Sequence, residues 1–408
     1  MAADLSLPRV VTALGLAQIV SWGTLFYTIA VLGPPMRAAL GVGEVMLFGS
    51  FTAGLALSGA LSPRVGRTID ARGGRRVLVA GSWLSALALA TLAAAQGPGS
   101  MLVGWLLAGA AMSAALYDPA FATLHQWSGT SYRRCVTALT LYGGFASTVF
   151  WPLSQWLQEA WGWRAAFLVY AGLHLAVCLP LHLWALPHGV GAVRAAEAHP
   201  PVAPSVPAHG PAFAWLAMAL ALASFLSSAL SAHLIGILAL SGLSVHDAVV
   251  VGALIGPMQV AGRVMEFAVL RNMRPVAVGT LAFAVLALAL LLFTQINGVL
   301  ALALAFAIPY GWSNGVMTIV RGTVPAVLFG GSGYGALLGR LAQPQFVARA
   351  SAPMAVALLL ALEGGRAATP WILAAGSVAA LLAYRRALSA ARAGWRKASA
   401  HGDDGRSD

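Results

Sequence analysis

Between two long apolar stretches, residues 66–78 read GRTIDARGGRRVL, a polar segment with one aspartate among four arginines. Asp70 closely follows an apolar stretch, so we expect it near a helix C-terminus, where the helix dipole disfavours a carboxylate. We therefore predict that Asp70 binds the N-terminal end of a neighbouring helix or an arginine, as a charge latch that breaks in another conformation. Alternatively, the arginines only anchor this segment at the anionic leaflet of a membrane.

The composition of the rest of the chain indicates a membrane protein. Of 408 residues, 59% are hydrophobic and 9% are charged, with a mean hydropathy of +0.81, whereas about 25% are charged in soluble domains. The only lysine, Lys397, lies near the C-terminus, so we expect no P-loop lysine and no ATP-driven pumping. The net charge of +12 comes from arginine clusters that lack the interleaved aromatic residues of a nucleic-acid-binding face, and we expect no nucleic acid partner.

Twelve apolar stretches are long enough to cross a bilayer, which requires about 20 residues. Their centres lie near residues 20, 53, 87, 112, 146, 175, 226, 256, 286, 309, 350 and 378. The chain is therefore predicted to be an all-α membrane protein with twelve transmembrane helices. The first stretch is too long for a signal-peptide core and lacks a following cleavage site, so we expect no segment to be removed.

The distribution of basic residues predicts the orientation in the bilayer. With the N-terminus inside, seventeen basic residues fall in inner loops and tails, and three, Arg37, Arg164 and Arg366, fall in outer loops. Because cytoplasmic loops carry the excess of positive charge, we predict a protein of the plasma (inner) membrane with both termini in the cytoplasm.

A proline-rich segment divides the chain. Residues 187–211 contain six prolines, which is typical of a linker. We predict an N-terminal six-helix bundle at 1–186, a cytoplasmic linker at 187–211, a C-terminal six-helix bundle at 212–390 and a cytoplasmic tail at 391–408. An apolar chain halved in this way is typical of a transporter built from two pseudo-symmetric bundles.

Residues 66–78 resemble the signature loop of the major facilitator superfamily, G-x-x-x-D-(R)-x-G-(R)-R-x-x-L. The matching residues are Gly66, Asp70, Gly73, Arg75 and Leu78, whereas Ala71 and Gly74 stand where basic residues are usual. The resemblance implies the fold of that superfamily and secondary active transport by two rocking bundles.

Asp118, in the fourth apolar stretch, is a second candidate site because an ionisable group within a membrane span is functional by default. It is either a partner of the latch or a protonation site. By resemblance, superfamily members often place an acidic residue here to complete the charge network of the signature loop. The predicted latch comprises Gly66, Asp70, Arg72, Gly73, Arg75, Arg76 and Asp118.

The second half carries arginines within predicted helices. A buried guanidinium must find water, a carboxylate or a ligand, and its planar fork suits a bidentate carboxylate. In oxalate transporters of the superfamily, helices eight and eleven contribute cationic groups to the cavity, and this resemblance implies that Arg263 and Arg349 form a two-point anion clamp. Alternatively, Gly262 to Glu266 is a second copy of Gly66 to Asp70, in which Arg263 is a latch residue paired with Glu266. Arg349 either faces the cavity, snorkels to a vestibule or caps carbonyls freed by the neighbouring prolines.

Several segments loosely resemble the monocarboxylate and oxalate/formate branch of the superfamily. They are Trp22 to Tyr27, His233-Leu234, Gly242-Leu243-Ser244 and Arg263. In that branch the corresponding arginine binds the substrate carboxylate. His233 either donates to the anion or bonds a backbone carbonyl. Further candidates for the cavity wall are Trp22, Tyr27, Tyr142 and Asn314, although aromatic residues in membrane helices often only pack.

The predicted function is alternating-access transport of a small organic anion, by proton symport or exchange. An exporter of amphiphilic drugs or metabolites is the alternative, in which Arg263 would be a latch residue. The chain shows no H-E-x-x-H pattern and no cluster of metal ligands, so we predict no enzyme activity, no metal and no cofactor. The expected partners are the small-molecule substrate, protons and the lipid bilayer, and we expect a monomer.

Overall fold

The computed structural model describes residues 6–189, 210–330 and 333–403, and across these ranges the chain is helical without strands. The chain forms two compact units: Met1–His199 with Ser332–Gln343, and Pro200–Gly331 with Pro344–Asp408. The predicted linker at 187–211 lies mostly outside the described residues.

The first unit begins with a long helix that changes winding in its middle. This helix consists of α1 (Leu7–Ser21), a π-helical segment (Trp22–Tyr27) and α2 (Thr28–Leu40). The following helices are α3 (Glu44–Arg72), α4 (Gly74–Ala93), α5 (Pro98–Ala115), α6 (Tyr117–Ser128), α7 (Tyr132–Gly144) and α8 (Ala146–Leu173). A second π-helical segment (His174–Cys178) leads to α9 (Leu179–Ala185).

The second unit contains the remaining long helices. They are α10 (Pro211–Leu240), α11 (Val245–Ala268), α12 (Pro275–Phe293), α13 (Leu300–Phe329), α14 (Tyr334–Ala361) and α15 (Gly365–Asp403). The first turns of α14 belong to the first unit. Within the second unit, α11 and α12 both pack on α13, and α15 packs on α10 and α12.

Ten segments of the described chain are long and apolar enough to cross a bilayer. One of them, Pro98–Ala185, has 88 residues and is interrupted by extended backbone at Leu116 and by positive φ angles at Gly129 and Gly162. Three crossings of this segment bring the number to the predicted twelve. Large apolar side chains such as Trp83, Leu168 and Leu358 are exposed, as expected for surfaces that face lipid.

Two helix ends differ from the predicted boundaries. Helix α3 continues through Asp70 to Arg72 and ends only at Gly73, whose φ of 81° is readily adopted by glycine. Helix α15 continues past residue 390 to Asp403, because the predicted tail is rich in alanine and arginine, which favour helix.

Candidate functional site

The carboxylate of Asp70 caps the start of a helix that is distant in sequence. Its two oxygens accept hydrogen bonds from the backbone N–H groups of Gly335 (2.8 Å) and Ala336 (2.7 Å), in the first turn of α14. These N–H groups have no partner within the helix and carry its positive dipole end. Of the two predicted kinds of partner, the structure brings Asp70 to a helix N-terminus.

Glycines allow this approach between α3 and α14. A Cβ atom on Gly66 would collide with the backbone carbonyl of Gly335, and one on Gly339 would collide with the carbonyl of Ser62. Gly335 was not identified from the sequence, although it lies in a stretch, residues 330–335, with four glycines. This density of glycine was the available signal for a close backbone contact.

Asp118 lies beside this contact. A break at Leu116 places Asp118 in the first turn of α6, where the helix dipole favours a carboxylate. Asp118 is 8% exposed and lines one small cavity with Gly66, Ile69 and Gly335. Asp70 and Asp118 thus belong to one region of the first unit, as the latch prediction requires.

An aromatic cluster extends the same region. Tyr334, the first residue of α14, accepts a hydrogen bond from the hydroxyl of Tyr132 (3.2 Å) and stacks on His125 with 4.0 Å between ring centroids. Gln126 donates its side-chain amide to the carbonyl of Ile69 (2.9 Å), at the end of α3. The end of α3, the start of α14 and the helices α6 and α7 are therefore joined by both polar and ring contacts.

The three predicted latch arginines have different surroundings. Arg75 donates from Nε (3.2 Å) and Nη2 (2.6 Å) to the carbonyl of Leu183, near the end of α9. Arg72 and Arg76 are exposed. Arg75 thus caps a helix C-terminus within the first unit, a role that the sequence analysis did not anticipate.

The predicted aromatic wall of the first unit gathers around the π-helical segment Trp22–Tyr27. The ring of Trp22 lies 5.1 Å from that of Tyr117, and the ring of Tyr27 lies 6.0 Å from that of Trp151, between centroids. Tyr142 lies apart from this pair, with its hydroxyl 3.4 Å from that of Thr12. Trp22 and Tyr27 are therefore brought together, and Tyr142 contacts the earlier part of α1.

In the second unit, Arg263 is buried on α11 with an exposed fraction of 6%. Its Nε atom has no hydrogen-bond partner among the described residues. The preceding Gly262 lies against the backbone of Trp312 on α13, where a Cβ would come within 2.5 Å of the carbonyl oxygen. Glu266, one turn further along α11, is 2% exposed and makes contacts of its own.

Polar side chains of α10 bind the backbone of α14 near its second proline. Because Pro353 has no N–H, the carbonyl of Arg349 lacks its usual helical donor. The hydroxyl of Ser228 donates to that carbonyl (2.8 Å), and Nε2 of His233 donates to the carbonyl of Pro353 (2.8 Å). Of the two predicted roles of His233, the geometry shows the bond to a backbone carbonyl.

The other predicted residues of the second unit lie on α13 and α14. Asn314 lies one turn after the buried Tyr310 on α13, and Tyr310 also lies close to Ser227 of α10. The guanidinium carbon of Arg349 lies 6.0 Å from the ring centroid of Phe346. Polar groups of α10, α13 and α14 therefore face one another within this unit.

Comparison with known proteins relates this arrangement to one family. The sequence profile of the Major Facilitator Superfamily matches residues 14–330. A curated relative, the "Uncharacterized 38 kDa protein in 23S RNA operon" of Thermoproteus tenax, is 31% identical over 157 residues, which are 38% of this chain and 41% of the relative. The chain thus spans about two fifths of the length of that relative.

Three solved structures have a similar fold. The human organic anion transporter MFSD10 (TETRAN) gives a TM-score of 0.66 at 19% identity, over 94% of this chain and 99% of that one. The transporter FucP in an outward conformation gives a TM-score of 0.70 at 13% identity, over 92% of this chain and 98% of that one. A variant of the E. coli fucose:proton symporter FucP gives a TM-score of 0.72 at 14% identity, over 94% of this chain and 99% of that one.

The family profile covers more than half of the chain, and the described helices have the fold of the family's transporters. The protein is therefore an integral membrane protein that belongs to the Major Facilitator Superfamily, and the solved structures that share its fold are those of transporters.

Proposed function

We propose that this protein is a secondary active transporter that works by alternating access and carries a small organic anion of the monocarboxylate type. The observation that carries this proposal is Arg263, a buried guanidinium whose Nε has no hydrogen-bond partner among the described residues. Arginine stays charged at every physiological pH. A buried charge is costly unless it is paired, and a substrate carboxylate would supply the pairing.

The rest of the second unit supports an anion over a cation. Arg349 lies on α14, whose backbone is bonded by Ser228 and His233 of α10, so its position is set by neighbouring helices. Two arginines on α11 and α14 would offer a carboxylate bidentate bonds. The human organic anion transporter with a similar fold is consistent with this substrate class, and coupling to protons or exchange is part of the proposal.

The contact between Asp70 and α14 supports a gate in the transport cycle. Two charge-assisted hydrogen bonds hold the first turn of α14 against α3, and Asp118 lines the adjoining cavity. We propose that these bonds stabilise one conformation and break in the other, with Gly66 and Gly73 allowing the close approach and the turn. Arg75 contributes through its bond to α9, while Arg72 and Arg76 anchor the segment at the anionic leaflet.

One observation favours the alternative of amphiphile export. The aromatic side chains Trp22, Phe26 and Tyr27 line up on the π-helical segment of the first unit, with Trp151 against Tyr27. Such a surface suits a large apolar substrate. In this case the arginines of the second unit would be dispensable for substrate binding.

The membrane, its orientation and the oligomeric state are part of the proposal. The excess of arginine in the predicted inner loops supports a plasma (inner) membrane protein with both termini in the cytoplasm. We propose that a monomer suffices for transport, because one chain supplies both bundles.

The test is counterflow in proteoliposomes with a labelled panel of small mono- and dicarboxylates. The Arg263→Gln/Arg349→Gln double variant is compared with wild type and with Arg37→Gln/Arg366→Gln, which removes the same charge from exposed positions. We expect saturable counterflow in wild type and in the control, and none in the double variant. Counterflow of amphiphiles but of no anion by folded wild type would reject the anion and favour the alternative.

A further inference from the structure

Two histidines of the first unit lie buried among helices whose one acidic side chain, Glu159 of α8, is exposed. His174 begins the π-helical segment His174–Cys178, and His182 lies on α9, with exposed fractions of 0% and 1%. They pack against α1 and its π-helical segment and against α4. The segments α1, α2, α4, α9 and both π-helical segments contain no aspartate or glutamate.

The hydrogen bonds of His174 determine its tautomer. The hydroxyl of Thr24 donates its only proton to the carbonyl of Val20 (2.8 Å), so its oxygen must accept in its 2.8 Å contact with Nε2 of His174. Nε2 therefore carries the proton of the neutral ring. The other nitrogen, Nδ1, is a bare lone pair, buried and without a hydrogen-bond partner among the described residues.

His182 shows the same arrangement with its nitrogens exchanged. The hydroxyl of Ser82 donates to the carbonyl of Leu78 (3.1 Å) and therefore accepts from Nδ1 of His182 (2.9 Å). Its Nε2 is then the bare acceptor, and this atom too is buried without a partner in the described part of the chain. A buried acceptor without a donor is unfavourable, so one nitrogen of each ring is available to accept a hydrogen bond or a proton.

The surrounding helices carry other charged and titratable side chains, but no buried group among their described residues is a base like the two imidazole rings. Charged side chains occur at Arg9, Arg37, Arg75, Arg76, Glu159 and Arg164. All of these are exposed except Arg75, which is bound to the carbonyl of Leu183. The remaining titratable groups on these helices are the thiol of Cys178 and the phenols of Tyr27 and Tyr170.

We propose that His174 and His182 form a proton-binding pair that couples proton movement to transport. This inference rests on the proposed transport function and names the site of its coupling ion. Because like charges repel, a proton on one ring disfavours a second proton on the other ring. Thr24 lies on the same π-helical segment as Trp22 and Tyr27, which connects the state of His174 to the aromatic wall.

The proton balance is simple. A proton from water on one side of the membrane binds the bare Nδ1 of His174 or the bare Nε2 of His182 and converts that ring to imidazolium. The bond to Thr24 or Ser82 is kept, because the donating nitrogen retains its hydrogen. Release of the proton to the other side restores the neutral ring. π-Helical segments occur frequently at functional sites, and the pair lies beside one.

The first test reads the rings directly and needs no substrate. Protein with ¹⁵N-labelled histidine is placed in lipid nanodiscs and its spectra are recorded from about pH 8 to about pH 3, because burial without an acidic partner disfavours the imidazolium form. Single His174→Gln and His182→Gln variants assign the signals. We expect opposite neutral tautomers at high pH and conversion to imidazolium as the pH falls. Rings that stay neutral throughout, as they would with only an internal water bound, would overturn the proposal.

The second test separates coupling from substrate recognition. The side-chain amide of glutamine keeps an N–H donor for Thr24 or Ser82, but it has no basic nitrogen that could take up an additional proton. His174→Gln and His182→Gln should therefore retain counterflow of the anion while accumulation driven by a pH gradient falls to the level of protein-free liposomes. His188→Gln, at an exposed position, is the control. Variants that accumulate like wild type would refute the pair, whereas absent counterflow in wild type would refute only the proposed substrate class.

Discussion

Two corresponding stretches of the chain, Gly66 to Asp70 and Gly262 to Glu266, have the same pattern of glycine, arginine and acidic residue but different environments. Both glycines pack against the backbone of another helix. Arg67, however, is exposed, whereas Arg263 is 6% exposed. Asp70 accepts two bonds from a helix N-terminus, whereas Glu266 is 2% exposed within the second unit.

The comparison teaches that one sequence pattern can serve two purposes. In the first unit the acidic residue makes the distant contact and the arginine faces away. In the second unit the arginine is enclosed and its Nε lacks a partner in the described chain. If the stretches were duplicated latches, both acidic residues should matter for gating and neither arginine for affinity.

The largest expected difference between the two stretches is in substrate affinity. A hydrogen bond to a charged group contributes about 1.5–3 kcal/mol, so Arg263→Gln should weaken anion binding by about ten- to a hundredfold. The matched change Arg67→Gln should alter affinity by less than about twofold, since exposed substitutions have small effects. The concentration dependence of counterflow measures both, and equal effects would mean that Arg263 is not a ligand.

The next effect concerns gating by the acidic residues. Asp70→Asn removes the charge that binds the start of α14, which should weaken this contact by about 1–3 kcal/mol. In a variant lacking Cys135 and Cys178, alkylation at Ser62→Cys reports opening, because Ser62 is buried in the adjoining cavity. Asp70→Asn should speed alkylation by about fivefold or more.

Glu266→Gln is the matched control for this experiment. It should leave the alkylation rate at Ser62→Cys unchanged, because Glu266 lies on α11 of the second unit. An equal acceleration by Glu266→Gln would show that both stretches act as latches and would support the alternative interpretation of Arg263.

The glycines of the two stretches affect stability rather than transport. Gly66→Ala and Gly262→Ala push a methyl group against a backbone carbonyl and should lower the free energy of unfolding by about 1–3 kcal/mol. Gly256→Ala on α11 meets open space and should be neutral or stabilising by up to about 1 kcal/mol. Thermal unfolding midpoints measure all three, and a neutral Gly262→Ala would mean that α11 and α13 tolerate a wider separation.

Sequence reasoning anticipated part of the site. It predicted that Asp70 needs a helix N-terminus or an arginine, because the unfavourable end of its own helix is visible in the pattern. The partner itself, Gly335, lies 265 residues away, and local patterns carry no information about such a distance. The break at Leu116, which gives Asp118 a helix start of its own, was also missed since no proline or glycine occurs at that position.

The buried histidines show the same limit. His174 looked like an isolated ring in an apolar helix, and no nearby residue in the chain indicated a partner. Only the packing of three helices brings Thr24 and Ser82 to the two rings and leaves one nitrogen of each ring unbonded.

The sequence by itself determined the membrane class, the number of crossings, the signature segment and the family, because hydrophobic length and charge placement act locally along the chain. Only the tertiary structure decided which arginine is enclosed, which helix Asp70 caps and which histidine nitrogens are bare. These features depend on contacts between helices that are far apart in sequence, and their energetics follow from burial, which a single helix cannot provide.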